Sequence, residues 1–382
     1  MTRRRILSSL ALGALAFALV TVWWLTRRPM TFAARGPEPE SWEDEPEIAP
    51  LELVDAGPAD QGLAVEADAG VEEVATEFHP DRPVERVATP KLADAEAYLL
   101  IGVDHTRGRW GRADSILVAF FDDESGHVGV VSIPRDLLVD VPDHGPARIN
   151  ATLRIAMRQE RDPLQVMRER VEEVLDAPVD HVLVGDLEAF EQSIDGLGGI
   201  VVDVPCTIRD NFRDSRVEGG RRLLDVDAGE RRMDGVTAAM YVRSRHGRSD
   251  WDRARRQQAV LAGLRSRLRE IGPTGWLPVV GQTLEAGVFT TMSRLELIGL
   301  ARRVSRVRQE RMHGVLIGTR QTQAARTADG RYVLEPDFAA IDDALLGLFE
   351  APSPGMRPER KRCPDPDIAL RHRAPRADSD DE

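Results

Sequence analysis

The stretch that most constrains this chain runs from Leu99 to Asp136, LLIGVDHTRGRWGRADSILVAFFDDESGHVGVVSIPRD. It holds three apolar runs of β type. Each ends or begins on charge: Asp104 after the first, Arg112 and Asp114 before the second, Arg135 and Asp136 after the third. Such runs, punctuated by turn residues, predict neighbouring strands, and a rigid sheet positions groups at strand ends well. Carboxylates suit hard divalent cations, and the guanidinium fork matches phosphate oxygens. The pattern predicts a metal-assisted phosphate site, with Asp104 and Asp114 able to reach one Mg2+, which takes one or two carboxylates plus substrate phosphates. As isolated residues the two aspartates fit turns or salt bridges as well, and spacing leaves that open.

The 382 residues allow one large or two modest domains, and 42% hydrophobic content is ample for a core. A net charge of -13 argues against a nucleic-acid partner, because such proteins show a basic face or domain. The two cysteines, Cys206 and Cys363, allow one disulfide and no cysteine-based metal cluster. Spacing alone does not bring the two side chains together.

Residues 1–5 are a basic start, followed at 6–26 by the uncharged run ILSSLALGALAFALVTVWWLT. About 20 apolar residues span a bilayer as a helix, with Trp23 and Trp24 suited to its interface. An uncleaved anchor is expected over a cleaved signal peptide, since no small-x-small site closes the run before the Trp pair. Arg3, Arg4 and Arg5 place the N-terminus in the cytoplasm and the rest of the chain outside it. Residues 27–92, rich in Glu, Asp, Pro and Ala, read as a disordered tether, and 351–382 as a disordered tail.

The folded domain is expected over 93–350. AEAYLLIGV, SILVAFF and HVGVVSI read as strands, with HTRGRWG a loop. A helix follows over 162–176, then DHVLVGD as a strand, LEAFEQSIDGLGG as a helix and IVVDVP as a strand. Residues 207–233, crowded with charge, read as a long irregular loop. TAAMYVRSRH reads as a short helix leading into an extended segment, and DWDRARRQQAVLAGLRSRLREI as a strong helix. Further helices are expected at 276–286 and 293–304, then strand HGVLIG, strand YVL and helix DFAAIDDALLGLF. This is an α/β (α+β) architecture with a central mixed sheet flanked by helices.

Four arginines cluster by spacing. Arg243 and Arg245 share one face of an extended segment; Arg253 and Arg256 share one face of a helix, with Gln257 beside them. Permanently charged, bidentate groups in this number suggest a polyanion such as a pyrophosphate. A solvated surface with the arginines paired to Asp250 and Asp252 fits the spacing equally well.

GVDHTRGRWGRADSI, VVSIPRDLLVDVP, RINA, IDGLGGIVVDVP, MDGVTAAMYVRSRH and DRARRQQ, in that order and over about residues 94–350, resemble the LytR-CpsA-Psr family of cell-envelope glycopolymer transferases. The resemblance implies an extracytoplasmic, membrane-anchored enzyme that binds a polyprenyl-pyrophosphate-linked glycan and transfers its phosphoglycosyl end to a peptidoglycan hydroxyl. It places Asp104 and Asp114 as Mg2+-associated carboxylates. Arg112, Arg135, Arg243, Arg245, Arg253 and Arg256 fall around the pyrophosphate, with Gln257 nearby. Asp114 or Asp136 would take the acceptor proton, unless either only orients an arginine. The helix at 162–176 and that at 187–195, with Leu187, Phe190 and Ile194, are candidate walls for the polyprenyl chain.

The chain departs from the family pattern after RINA, where TLRIAMRQERD is more basic and bulkier. It departs again in the Arg- and Asp-dense loop 207–233, and at Ala113, where a serine is usual. Competing readings are a non-catalytic polyprenyl-phosphate-binding protein or regulator of envelope assembly, and a lipid-pyrophosphate phosphatase.

Overall fold

The computed structural model describes residues 89–106, 109–244, 250–285, 288–327 and 330–350, with 363 and 366. The sequence readings of an anchor at 6–26, a tether over 27–92 and a disordered tail lie largely outside these residues. Among the described residues no helix is long and apolar enough to cross a membrane.

A short helix α1 (Pro90–Ala93) leads into β1 (Glu96–Thr106), β2 (Arg109–Asp122) and β3 (His127–Ile133), an antiparallel meander. HTRGRWG, read as a loop, is instead mostly the extension of β1 and β2, which stay paired out to Thr106 and Arg109. A small hairpin, β4 (Leu138–Val141) and β5 (Gly145–Arg148), then precedes α2 (Thr152–Arg158) and α3 (Pro163–Leu175). Strand β6 (His181–Asp186) pairs parallel to β1 and passes into α4 (Leu187–Gly196), capped by Asp186 accepting from Ala189 N at 2.8 Å.

Strands β7 (Ile200–Val204), β8 (Ile208–Arg213), β9 (Arg221–Val226) and β10 (Gly229–Met233) form two antiparallel pairs, β7 with β10 and β8 with β9. This corrects the loop reading of 207–233. The apolar residues there alternate: Ile208, Phe212, Leu224 and Val226 turn inward to a second core, while charges occupy the outer face as pairs such as Arg209–Asp225. A charge-rich strand with one buried face hides its period when the polar residues outnumber the apolar ones.

Helix α5 (Gly235–Arg243) is capped by Asp234. Helix α6 (Asp250–Glu285) is interrupted at Gly272, whose φ of +65° suits glycine. The chain continues through β11 (Phe289–Thr290), α7 (Arg294–Arg306), β12 (Met312–Leu316), the hairpin β13 (Thr322–Arg326) and β14 (Tyr332–Pro336), and α8 (Phe338–Leu346).

The central sheet has the order β11-β6-β1-β2-β3-β12 and is mixed. Alternate residues of β1 serve opposite faces. Ala97, Leu99, Ile101 and Val103 pack with α2, α3 and α8, whereas Tyr98 and Leu100 join Leu117, Phe121 and Val130 under α6 and α7. The α6 side is held by buried Gln258, whose Nε2 donates to Ser132 Oγ at 2.9 Å and to Val315 O at 3.2 Å. Close approach of α6 to β7 depends on Gly263, where a Cβ would stand 2.6 Å from Val201 O. Cys206 and Cys363 are joined as a disulfide, with Cα atoms 5.6 Å apart.

Candidate functional site

Between the sheet and helices α4 and α6 lies a cavity of about 590 Å3 whose wall is largely apolar, including Leu100, Leu117, Phe190, Ile194, Val260 and Leu264. A second apolar cavity of about 310 Å3 continues toward Tyr98, Phe121 and Trp276, and the two share Leu100, Leu183, Leu261 and Leu264. The path follows β1 from Val103 back to Tyr98, roughly 17 Å of strand. Of the two predicted wall helices, 187–195 lines the cavity through Leu187, Phe190 and Ile194. The helix at 162–176 does not: Val166, Met167, Val171 and Val174 are committed to the core on the opposite face of the sheet. Its place is taken by α6.

The polar groups of the larger cavity include Asp114, Arg135, Asp186, Arg213, Arg243, Arg253 and Gln257. Asp114 is delivered by an irregularity in pairing. The register steps from Gly102–Ser115 to Val103–Ala113, leaving Asp114 as an extra residue in β2, a bulge that re-aims a side chain. Ala113 itself is fully buried opposite Val103. Asp114 Oδ1 accepts from Arg135 Nη1 at 2.7 Å, and its side chain stays 34% exposed.

Arg135 follows β3, and its Nε lies 3.5 Å from Asp136 Oδ2, while Arg148 Nη1 donates to Asp136 Oδ1 at 3.0 Å. Asp136 is buried. Of the two carboxylates weighed as proton acceptor, Asp114 borders the cavity and Asp136 faces the two arginines.

The four arginines of the spacing argument separate. Arg243 and Arg253 reach the cavity, Arg243 lying over the Phe212 ring at 5.5 Å. Arg243 is the last residue of α5 rather than part of an extended segment, and Ser244, with extended backbone, caps the helix. Arg256 is buried; its Nη2 donates to Ser244 O, its guanidinium lies 6.0 Å from the Tyr241 ring, and it does not line the cavity. Gln257 and Arg253 sit beside Arg135 and Asp114. Arg112 lies on β2 outside the cavity; partial desolvation of its guanidinium, then the positive charges of Arg148, Arg154, Arg135 and Arg331, lower its proton affinity. Arg245 and the Asp104 side chain lie outside the described residues. Among the described residues no group of three or more His, Cys, Asp or Glu is arranged around a metal position.

Asp186 and Arg213 were not singled out by sequence. Asp186 had only the signal of a strand-end aspartate before a helix, which its capping role accounts for. Arg213 sat in what read as a loop.

The fold and site together define an α/β protein with a long apolar cavity opening onto a cluster of arginines and a carboxylate. The LytR_cpsA_psr family model matches residues 63–345, and the chain belongs to that family. Among curated relatives, the polyisoprenyl-teichoic acid–peptidoglycan teichoic acid transferase TagU of Oceanobacillus iheyensis is 29% identical over 184 residues, 48% of this chain and 54% of that protein. TagT of Bacillus subtilis, of the same description, is 27% identical over 215 residues, 54% and 63% of the two chains. The chain thus matches only about half to two-thirds of these relatives' length. The crystal structure of B. subtilis TagV superposes with a TM-score of 0.55 at 23% identity, covering 68% of this chain and 99% of the other.

Proposed function

We propose that this protein is a membrane-anchored, extracytoplasmic phosphotransferase that moves a glycan from a polyprenyl-pyrophosphate carrier onto a peptidoglycan hydroxyl. One observation carries the reading: a prenyl-sized apolar cavity ends at Asp114, Arg135, Arg243, Arg253 and Gln257. A site that only bound an apolar molecule would not need fixed cations at one end. The family membership and the relatives' descriptions agree with it. The disulfide fits an oxidising compartment, in keeping with the anchor expected from residues 6–26.

In this reading the prenyl chain fills the cavity and the pyrophosphate rests at its mouth on Arg135, Arg243 and Arg253, with Arg245 added from the neighbouring segment. The acceptor oxygen forms a bond to the glycan-bearing phosphorus as the bond to the lipid phosphate breaks, and polyprenyl phosphate leaves. Transfer of this kind depends chiefly on positioning and on fixed charge facing the phosphoryl oxygens. Asp114, the carboxylate that borders the cavity, takes the proton of the acceptor hydroxyl as the new P–O bond forms. Asp136 acts through Arg135, as a positioning residue.

The donor chemistry suits Mg2+: Asp114 is a hard oxygen ligand, part exposed at the mouth. Asp104 and Asp114 would hold the ion, which when bound supplies charge neutralisation at the phosphate oxygens.

The test incubates the protein with a polyprenyl-pyrophosphate oligosaccharide, peptidoglycan fragments and Mg2+, and follows products by mass spectrometry. A phosphoglycan adduct, absent with Asp114→Ala, supports the transferase. Tight lipid retention with neither adduct nor released polyprenyl phosphate would overturn it in favour of a binding protein.

A further inference from the structure

Strand β8 carries a buried carboxylate. Its inward residues alternate as Ile208, Asp210 and Phe212, and Ile208 and Phe212 belong to the second core. Asp210, between them, is fully buried. A carboxylate held among apolar side chains is costly unless it is hydrogen-bonded, and an apolar residue would pack there without that cost. What Asp210 reaches is therefore informative. Its Oδ1 accepts from Asn211 N at 2.8 Å, a contact local to the strand, and its Oδ2 accepts from Ser244 Oγ at 2.8 Å, far along the chain.

Ser244 follows Arg243, which lines the cavity. It is itself fully buried, and three elements hold it. Its N–H donates to Met240 O at 2.9 Å as the last turn of α5 closes, its hydroxyl donates to Asp210 on β8, and its carbonyl accepts from Arg256 Nη2 on α6. The backbone is thus fixed immediately beyond Arg243. Two residues along β8 from Asp210, on the same face, Phe212 also borders the cavity, and the Arg243 guanidinium lies over its ring at 5.5 Å. One face of β8 therefore meets both the backbone after Arg243 and the Arg243 guanidinium. An arginine side chain loses rotational freedom when it binds, and restricting that freedom beforehand favours binding.

We propose that Asp210 is a positioning residue for the charged end of the cavity: by holding Ser244 it sets Arg243, the last residue of α5, over Phe212 at the cavity wall. Asp210 acts through Arg243 and touches no substrate. The inference rests on reading the cavity mouth as the pyrophosphate site, and it gives the β8–β9 hairpin a part in binding the phosphate end of the ligand.

The experiment measures binding to the full chain by isothermal titration, with geranylgeranyl pyrophosphate and with geranylgeraniol, which has the same hydrocarbon and no phosphate. Asp210→Ala is compared with the parent, alone and combined with Arg243→Gln, and circular dichroism checks the folding of each. Asp210→Ala should weaken pyrophosphate binding about tenfold, the scale of a charge-assisted contact, and leave geranylgeraniol within about twofold. Combined with Arg243→Gln it should add less than about twofold to the loss that Arg243→Gln causes alone, because residues that act through one another are not additive. Ser244→Ala cuts the same contact from the other side with a smaller change in the core. It should show the same pattern, and it decides the question if Asp210→Ala does not fold. Equal losses on the two ligands assign Asp210 to the fold alone and overturn the proposal, as does a tenfold loss that persists in the Arg243→Gln background. Unchanged pyrophosphate affinity in both Asp210→Ala and Ser244→Ala overturns it too. The parent tests the underlying reading separately: binding geranylgeranyl pyrophosphate no more tightly than geranylgeraniol would defeat the pyrophosphate site itself, and this inference with it.

Discussion

Arg135 Nη1 donates to Asp114 Oδ1 at 2.7 Å, joining the end of β3 to the bulge of β2 at the mouth of the cavity. Neither residue is near the other in sequence, and the pair is set by two features of the sheet: the antiparallel pairing of β2 with β3 and the extra residue in β2. Asp136 and Arg148 extend the same contact away from the cavity.

Arg135→Ala removes a cation that both faces the cavity and partners two carboxylates. Binding of a polyprenyl pyrophosphate should weaken by about 2 kcal/mol, roughly 30-fold in Kd. Isothermal titration measures it, and unchanged affinity would remove Arg135 from the site.

Asp114→Asn keeps the shape of the side chain and removes its charge. The transfer rate should fall by at least about 100-fold, with a circular dichroism spectrum like the parent's. The residual rate should not respond to Mg2+. A variant whose activity still rises with Mg2+ as the parent's does would show that Asp114 is not a ligand.

Leu264→Trp fills space where the two cavities meet. Each methylene kept from burial costs about 0.8 kcal/mol, so excluding two from the inner cavity gives about a tenfold loss. The loss should appear with an undecaprenyl chain and not with a farnesyl one. Equal effects on both lengths would argue that the long chain does not pass this point.

Reduction of Cys206–Cys363, or Cys206→Ala, opens a link spanning 157 residues of sequence. Loss of such a crosslink should cost about 2–4 kcal/mol. Calorimetry with and without reductant reads this as a lower Tm, and an unchanged Tm would show the link to be energetically idle.

Asp214 receives hydrogen bonds from Arg216 and Arg222 beside the β8–β9 hairpin. The Arg216 guanidinium is the main reason that its carboxyl titrates well below the usual carboxylate range. A depressed folded-state pKa contributes stability that is complete above the unfolded value, near pH 4, and is lost as pH falls through the folded value. Asp214→Asn should therefore be less stable than the parent at pH 7, with the difference shrinking only below about pH 4. Denaturant melts across pH 2–7 would show it; a constant gap would exclude the linkage.

Much of the central sheet and its helices was legible. Tyr98 to Val103, Ile116 to Phe121 and Val128 to Ile133 are apolar runs buried on both faces, and a run of that kind leaves few alternatives to a strand. The β8–β9 hairpin was not legible, because Ile208, Phe212, Leu224 and Val226 are sparse among arginines and aspartates, and their burial comes from packing against α5 and α6. Of the site, Asp114, Arg135, Arg243, Arg253 and Gln257 were singled out by sequence and meet at one cavity. Arg256 shared their spacing yet turns to Ser244 O, since positions three apart on a helix share a face without sharing a partner.

The sequence by itself determined which segments are strands and helices wherever the apolar period was strong, and which residue types carry phosphate chemistry, because both are local properties of side chains. Only the tertiary structure decided that the cavity lies under α6 rather than α3 and that Asp114, not Asp136, borders it. It also decided that the arginines divide between those that line the cavity and Arg256, which is buried against Ser244 O. Those outcomes depend on which face of the sheet each helix covers and on one extra residue in β2, and both are settled by contacts between segments far apart in the chain.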